Sequence, residues 1–289
     1  MIVVFTGFAE VIKDFGIGSA LIHKENLKEN ELSSAFWWSL GIGLLLAIIF
    51  GLLSKPLAAF YGKDILSKIT LFIAVNFLFS SASITQQSLL QKRLDFKGLV
   101  YITFFSELIA SSLAIILAWY GWGVWSLVNR MLCKTILSGL LYWIRSAWYP
   151  ALHFSFSDLR DIFSFSVPLF GTRAMNYWVR NLDDLLIGRL IGASALGNYT
   201  RAYSLMRFPL IQITKVMNQV YFPVLSQPSI QVSTVKSVFL KTNRLSAFIF
   251  LPVMAGLSIL APDFIWVLLG KKWLDVIPLL RILALAGLL

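Results

Sequence analysis

Long apolar runs recur along the whole chain, and each is long enough to cross a lipid bilayer as a helix. A spanning helix needs about 20 mainly apolar residues, because its backbone polar groups must be hydrogen-bonded inside the segment. The run 34–54 is the clearest of them and contains no charged residue. The alternating ten-residue pattern of membrane strands is absent from the sequence. We therefore predict an all-α fold, a polytopic membrane helix bundle.

Composition and charge support a membrane protein and exclude several other classes. The chain is 58% hydrophobic and 13% charged, whereas soluble domains have about 45–50% apolar and about 25% charged residues. Its net charge of +11 comes from Lys and Arg scattered between apolar runs, so we predict contact with membrane lipids and none with nucleic acid. The lone Cys133 and the distant His23 and His153 predict no disulfide, no metal site and no cofactor.

The chain contains about nine predicted spans or part-spans. Lys55 and Pro56 are expected to end the second of them. The segment 226–237 is polar and is predicted to be a loop. The predicted spans cover 2–22, 34–54, 66–90, 98–119, 122–145, 162–181, 184–206 with an extension to about 224, 238–260 and 276–289.

The distribution of basic residues between the spans predicts the orientation of the chain. With the loop 23–33 placed inside and the sides alternated, ten basic residues lie in inside segments and five in outside segments. Inside are Lys24, Lys28, Lys92, Arg93, Lys97, Arg145, Arg160, Lys236, Lys241 and Arg244, and outside are Lys55, Lys63, Lys68, Lys271 and Lys272. The loops 23–33, 91–97 and 145–161 are therefore expected to face the cytoplasm. The last of them is also the longest. We place a boundary there between two halves, 1–150 and 151–289.

Charged residues inside the apolar stretch 168–210 indicate a polar space within the bundle. A charge at membrane depth costs about 2.5–3.5 kcal/mol by insertion measurements, and it tends to face a cavity or a partner. We therefore expect this stretch to form part of a cavity wall. Its charged residues are Arg173, Arg180, Asp183, Asp184, Arg189, Arg201 and Arg207.

An ordered set of segments gives the chain a family resemblance. They are DFGIGSALIHKE at 14–25, QKRLDF at 91–96, GWGVWSLV at 121–128, FSVPLFG at 165–171, RNLDDLLIG at 180–188, IGRLIGASALGNYTRAYSLMRFP at 187–209, QVYFPVLS at 219–226 and LGKKW at 269–273. In this order the chain resembles the Wzx-type polysaccharide flippases, which translocate O-antigen and colanic-acid repeat units. These belong to the multidrug/oligosaccharidyl-lipid/polysaccharide exporter superfamily, and the resemblance covers essentially the whole sequence.

The resemblance implies an architecture and a function. It implies two six-helix lobes related by a pseudo-two-fold axis around a central cavity, as in the drug exporters of the same superfamily. On that template 1–150 forms an N-lobe without its first span, and 151–289 forms a C-lobe that is incomplete at its end, so the chain is expected to be truncated at both ends. The implied function is flipping of polyprenyl-diphosphate-linked oligosaccharide across the bacterial inner membrane. Polysaccharide polymerase and export machinery are the implied partners.

The implied substrate determines which side chains are candidates for its binding. Each unpaired sugar hydroxyl costs several kcal/mol in hydrocarbon, so the headgroup needs a hydrogen-bonding cavity, with cations for its phosphates. Flipping breaks no bond, so no catalytic residue is expected. The candidate cations are Arg173, Arg130, Lys134, Arg180 and Arg207. The candidate sugar-binding amides are Gln86, Gln87 and Gln91, and the candidate coupling or gating carboxylates are Glu107, Asp183 and Asp184.

Each candidate also has a structural interpretation. The cations can extend to lipid headgroups, and the amides can hydrogen-bond between helices. Asp183 and Asp184 can pair with Arg180 or Arg189 at a helix end. Glu107 can form a salt bridge to Arg130 or Lys134, which lie four residues apart on one helix face.

Three other functions compete with flipping. A drug or cation antiporter of the same superfamily would favour an acidic or apolar cavity, and the excess of Arg and Lys inside the spans argues against it. A membrane polysaccharide polymerase or ligase would need a large external loop with catalytic Arg and His, whereas the predicted outside turns are short and contain no His. A fragment without activity is the third. The sequence contains no P-loop, so ATP hydrolysis is not indicated.

Overall fold

A computed structural model describes residues 3–225 and 232–287, with only the backbone described at 3, 213–225, 232–239 and 242. Every regular element in these two ranges is a helix, which confirms the predicted all-α class. The helices are α1 (Val3–Asp14), α2 (Ile17–His23), α3 (Glu29–Tyr61), α4 (Ile65–Ser81), α5 (Ile84–Lys92), α6 (Phe96–Trp119), α7 (Val124–Ser146), α8 (Phe156–Leu190), α9 (Ala193–Leu225), α10 (Val232–Ile259), α11 (Ala261–Leu269), a 3-10 turn (Lys271–Trp273) and α12 (Val276–Ala286).

Several helices have the length and composition of membrane spans. Within the described ranges, α3 and α6 each meet both requirements alone. Two bent pairs meet them together: α4 with α5, which bend by 41°, and Asn243–Ile259 with α11, which bend by 75°. The chain is therefore a membrane protein, and its described residues contain two such spans, or up to four if each bent pair counts as one. The larger predicted number of nine stays a prediction.

Helix α3 continues through a proline that was expected to end it. Pro56 lies inside the helix, which ends at Tyr61, and Gly62 follows with φ 63°. The Ser54 hydroxyl donates to the Gly51 carbonyl at 2.7 Å one turn before the proline. Transmembrane helices tolerate an internal proline more readily than soluble ones do. The prediction that Lys55 and Pro56 end the span is therefore wrong.

The predicted span 66–90 is broken into α4 and α5. The hydroxyls of Ser80 and Ser83 donate to the carbonyls of Phe77 and Phe79 at 3.1 and 3.2 Å. Such bonds compete with the helical backbone pattern and often bend helices. The serines at this position therefore accompany the break, and the predicted span 66–90 consists of two helices bent by 41°.

Helix α8 is continuous where the sequence predicted two separate spans. It extends from Phe156 to Leu190, so Asp183 and Asp184 lie inside a helix and not at its end. The chain turns later, at Gly192, whose φ of 113° is available to glycine. Of the predicted loop 226–237, residues 226–231 lie outside the described residues, and 232–237 begin α10.

Contacts divide the chain into two compact units, Met1–Leu185 and Leu186–Leu289. In the first, Leu46, Phe50 and Phe77 belong to one apolar core between α3 and α4, while a second core surrounds Ile17. In the second, α9, α10, α11 and α12 pack around buried Met254. The predicted assignment of lobes at residue 150 concerns a family architecture and stays a prediction.

The three loops predicted to face the cytoplasm lie at the same end of the first unit. Lys24 pairs with Asp161 at 2.8 Å, and Arg145 pairs with Asp95 at 2.8 Å. The Arg145 guanidinium holds the pKa of the Asp95 carboxyl below its usual range, and Lys24 does the same for the pKa of Asp161. These pairs join all three loops, as a common side of the membrane requires.

The break between α1 and α2 requires glycine at position 16. Phe15 and Gly16 both have positive φ, 41° and 74°. A Cβ atom at Gly16 would lie 3.0 Å from the backbone oxygen of Ser166 on α8. Gly16 therefore permits both the turn and the close approach of α8.

We expect Gly16→Ala to destabilise the chain by about 1–2 kcal/mol, because the left-handed conformation costs this much for residues with a Cβ. The measurement is the free energy of unfolding in detergent. The matched control is Gly51→Ala inside α3, where a Cβ meets nothing within 4 Å and alanine favours the helix. Equal stability of the two variants would contradict the assigned role of Gly16.

Candidate functional site

A polar cavity of about 400 Å³ lies inside the first unit, with walls from α1, α2, α4, α5, α7 and α8. Ile22 and Ile84 are the hydrocarbon side chains of its wall. The cavity is thus a hydrogen-bonding space within a bundle of apolar helices. Its uncharged polar side chains are Ser19, Ser80, Ser83, Gln87, Ser88, Gln91, Thr135, Ser138 and Tyr142.

Two ion pairs supply the charges of the cavity wall. Arg173 Nη1 pairs with the Asp14 carboxylate, and its Nη2 donates to Ser19 Oγ at 2.9 Å. Lys13 pairs with Glu10, and it also donates to Ser80 Oγ at 2.9 Å. Two cations and two carboxylates make the wall neutral in sum.

Local sequence places both ion pairs at the cavity. Lys13 and Asp14 follow Glu10 on α1 by three and four residues, so both lie close to it on that helix. Arg173 comes from α8, which is held against the α1–α2 break by ring contacts. Phe15 lies 4.8 Å from Phe170, measured between ring centroids.

The polar cavity shares part of its wall with a side groove of about 520 Å³. Gln87, Gln91 and Tyr142 line both spaces. The rest of the side groove is formed by Leu99, Val100, Thr103, Phe104 and Glu107. A hydrogen-bonding surface and an apolar one therefore meet at the two glutamines.

Glu107 is the centre of a charged cluster between α6 and α7. It pairs with Arg130 and, at 2.6 Å, with Lys134. Ser111 donates to Glu107 at 3.1 Å and accepts from Arg130 Nε at 3.1 Å. The structure thus brings these predicted residues together as a salt-bridge cluster. Arg130 and Lys134 do not line the polar cavity.

The remaining predicted residues lie elsewhere. Gln86 is fully buried and does not line the cavity. Arg180 is exposed on α8. The Asp184 backbone N–H donates to Asp183 Oδ1 at 2.9 Å within the same helix. Arg207 belongs to the second unit, where its guanidinium lies 5.3 Å from the centre of the Tyr203 ring.

Sequence reasoning missed most of the cavity's charged groups. The apolar run 2–22 is interrupted by Glu10, Lys13 and Asp14. Charge at membrane depth is costly, and this argument was used only for 168–210. The same argument would have identified these three residues as candidates for the cavity wall. Thr135 and Ser138 gave no comparable signal, because hydroxyl side chains are common in membrane helices. Within the described residues, no group of three or more His, Cys, Asp or Glu could hold a metal ion.

Comparison with known proteins gives consistent matches along the chain. A family described as "Polysaccharide biosynthesis protein" matches residues 1–278. The teichuronic acid biosynthesis protein TuaB of Bacillus subtilis (strain 168) is 32% identical over 98% of this chain. The lipopolysaccharide biosynthesis protein WzxC of Escherichia coli (strain K12) is 25% identical over 99% of it. The succinoglycan biosynthesis transport protein ExoT of Rhizobium meliloti (strain 1021) is 25% identical over 96% of it.

The chain spans little more than half the length of these curated relatives. It covers 59% of TuaB, 58% of WzxC and 56% of ExoT. No solved structure matches the chain significantly.

Proposed function

The chain belongs to the polysaccharide biosynthesis protein family, and from this premise we propose that it serves in flipping lipid-linked oligosaccharide across the bacterial inner membrane. The proposed substrate is a polyprenyl-diphosphate-linked repeat unit. The observation that supports this most directly is the polar cavity, which presents an arginine fork and many hydroxyl and amide groups inside apolar helices. Polysaccharide polymerase and export machinery are the proposed partners.

The cavity and the side groove match the two parts of such a substrate. Hydroxyl and amide side chains offset the desolvation of sugar hydroxyls, which otherwise costs several kcal/mol for each unpaired group. Arg173 suits phosphate because its planar donors form two parallel bonds to phosphate oxygens. The apolar residues of the side groove adjoin the cavity at Gln87 and Gln91, so a lipid tail can leave there while the headgroup stays in polar surroundings.

The proposed mechanism is alternating access, in which the lobes rock and open the cavity first to one leaflet and then to the other. No bond is broken, so the cavity needs no nucleophile or general base. An ion gradient is a sufficient driving force, since one charge that crosses 100 mV gains about 2.3 kcal/mol.

The experiment is reconstitution of the purified chain into vesicles with a fluorescent lipid-diphosphate oligosaccharide. A membrane-impermeant quencher reports how fast the labelled headgroup crosses. We expect crossing well above that of protein-free vesicles. Crossing at the protein-free rate would contradict the proposal for this chain.

The same vesicles test the competing functions. If an organic cation is exchanged for protons while the lipid is not moved, the antiporter interpretation is right. A polymerase or ligase would lengthen or transfer the glycan, which mass spectrometry of the recovered lipid detects. The proposed function predicts that the glycan is recovered unchanged.

A further inference from the structure

Both cations of the polar cavity already have a carboxylate partner from the chain itself. Arg173 pairs with Asp14 and donates its other terminal nitrogen to Ser19. Lys13 pairs with Glu10. An anionic headgroup that enters the cavity therefore meets a neutral wall, and it must compete with a carboxylate for each cation.

We infer that Asp14 is the internal counter-ion of Arg173, and that a phosphate of the lipid-linked substrate binds by exchanging with it. Carboxylate and phosphate oxygens accept from a guanidinium fork in the same two-point geometry, so the two anions compete for one position. This inference rests on the proposed function, because it concerns the same cavity and the same class of anionic lipid.

The position of Asp14 suits such an exchange. It is the last residue of α1, directly before the break at Phe15 and Gly16. Its side chain is 33% exposed, and that of Arg173 is 40% exposed, so both ends of the pair are accessible from the cavity. Ser19 is a second partner that Arg173 keeps when Asp14 leaves.

The two ion pairs differ in what their separation does to the bundle. Lys13 and Glu10 are three residues apart on one helix, so breaking this ion pair does not loosen any contact between helices. Asp14 and Arg173 join α1 to α8 across 159 positions of sequence. Exchange at Arg173 therefore opens a link between two helices when the phosphate binds, and the link forms again when it leaves.

In the alternative interpretation the Asp14–Arg173 pair only stabilises the packing of α1 against α8 and takes no part in substrate binding. The two interpretations differ in the effect of neutralising Asp14. Exchange predicts tighter binding of a phosphate, because the competing anion is gone. A purely structural role predicts that the phosphate binds with unchanged or lower affinity.

The test measures binding of a fluorescent prenyl diphosphate without sugar to the whole chain in lipid nanodiscs. We expect Asp14→Asn to bind it about tenfold tighter than the wild type, because no carboxylate then competes with the phosphate for the Arg173 guanidinium. The asparagine keeps the shape and one hydrogen-bond acceptor for Arg173. Adding Arg173→Ala to Asp14→Asn is expected to abolish the gain.

The matched control is Glu10→Gln, which changes the charge of the same wall equally but leaves the Asp14–Arg173 pair intact. We expect a clearly smaller gain in its affinity, because the Lys13 that it releases is a point charge without the two-point donor fork of Arg173. If Glu10→Gln tightens binding as much as Asp14→Asn, net charge is the cause and exchange at Arg173 is overturned. If Asp14→Asn folds poorly, Asp14→Ser is measured in its place with the same expected result.

Failure of this inference is separable from failure of the proposed function. If the wild type binds the probe and Asp14→Asn binds it no tighter, the exchange is overturned and the proposed function stands. If neither the wild type nor any variant binds the probe, the proposed lipid-diphosphate substrate fails, and the exchange fails with it.

Discussion

Replacing Arg173 with alanine is expected to slow flipping of the lipid-linked oligosaccharide by the reconstituted chain about 10- to 100-fold. Hydrogen bonds to charged groups are worth about 1.5–3 kcal/mol, which corresponds to this range. The change removes the guanidinium that lines the cavity and leaves Asp14 without its cation partner. Headgroup crossing in quencher-treated vesicles is the measurement.

Two further variants make this result specific to the arginine fork. Arg180→Ala removes an exposed arginine of the same helix that does not line the cavity, and we expect nearly unchanged flipping. Arg173→Lys keeps the charge but loses the two-point geometry, so an intermediate rate is expected. Normal flipping by well-expressed Arg173→Ala would exclude this residue from the site.

Glu107→Gln is expected to lower the free energy of unfolding by about 3 kcal/mol, the cost of an uncompensated charge in the middle of a membrane helix. Glu107 lies near the centre of α6 and pairs with both Arg130 and Lys134. Glutamine has nearly the same shape but leaves both cations without a carboxylate. The measurement is the unfolding transition in detergent, together with the yield of folded protein.

A second substitution separates loss of pairing from other effects. Combining Glu107→Gln with Lys134→Met removes one of the orphaned cations, and we expect it to restore part of the stability. A Glu107→Gln variant as stable as the wild type would contradict a structural cluster in the bilayer. If flipping by the wild type depended on pH and flipping by that variant did not, a proton-coupling role for Glu107 would be favoured instead.

The class of fold and the existence of a polar cavity could be predicted because both depend on strong one-dimensional signals. Apolar runs of helix length identify the helices, and charge inside such runs marks a polar space, as Arg173 illustrates. Helix boundaries were harder to predict. Pro56 and the pair Asp183 and Asp184 are poor formers of isolated helices, yet all three lie inside long helices here, because tertiary and membrane surroundings outweigh local preference.

The composition of the cavity wall was predictable only in part, because pairing depends on contacts between distant segments. The sequence placed Arg130 and Lys134 on one face of a helix. It did not show whether this face contacts Glu107 or lines the cavity. Asp14 and Arg173 illustrate the same limit. Each was visible as a charge in an apolar run, and nothing local indicated that they are partners.

The two ion pairs of the cavity have consequences for how the chain is made. Glu10 and Lys13 can neutralise each other as soon as α1 leaves the ribosome, because they are neighbours on one helical turn. Asp14 lies 159 positions before Arg173, so at about 5–20 residues per second its partner is synthesised about 8–32 seconds later. Until α8 is synthesised, Asp14 therefore lacks the cation partner that it has in the folded chain. Once α8 is made, the ion pair with Arg173 offsets the cost of the unpaired carboxylate. This pairing favours packing of α8 against α1.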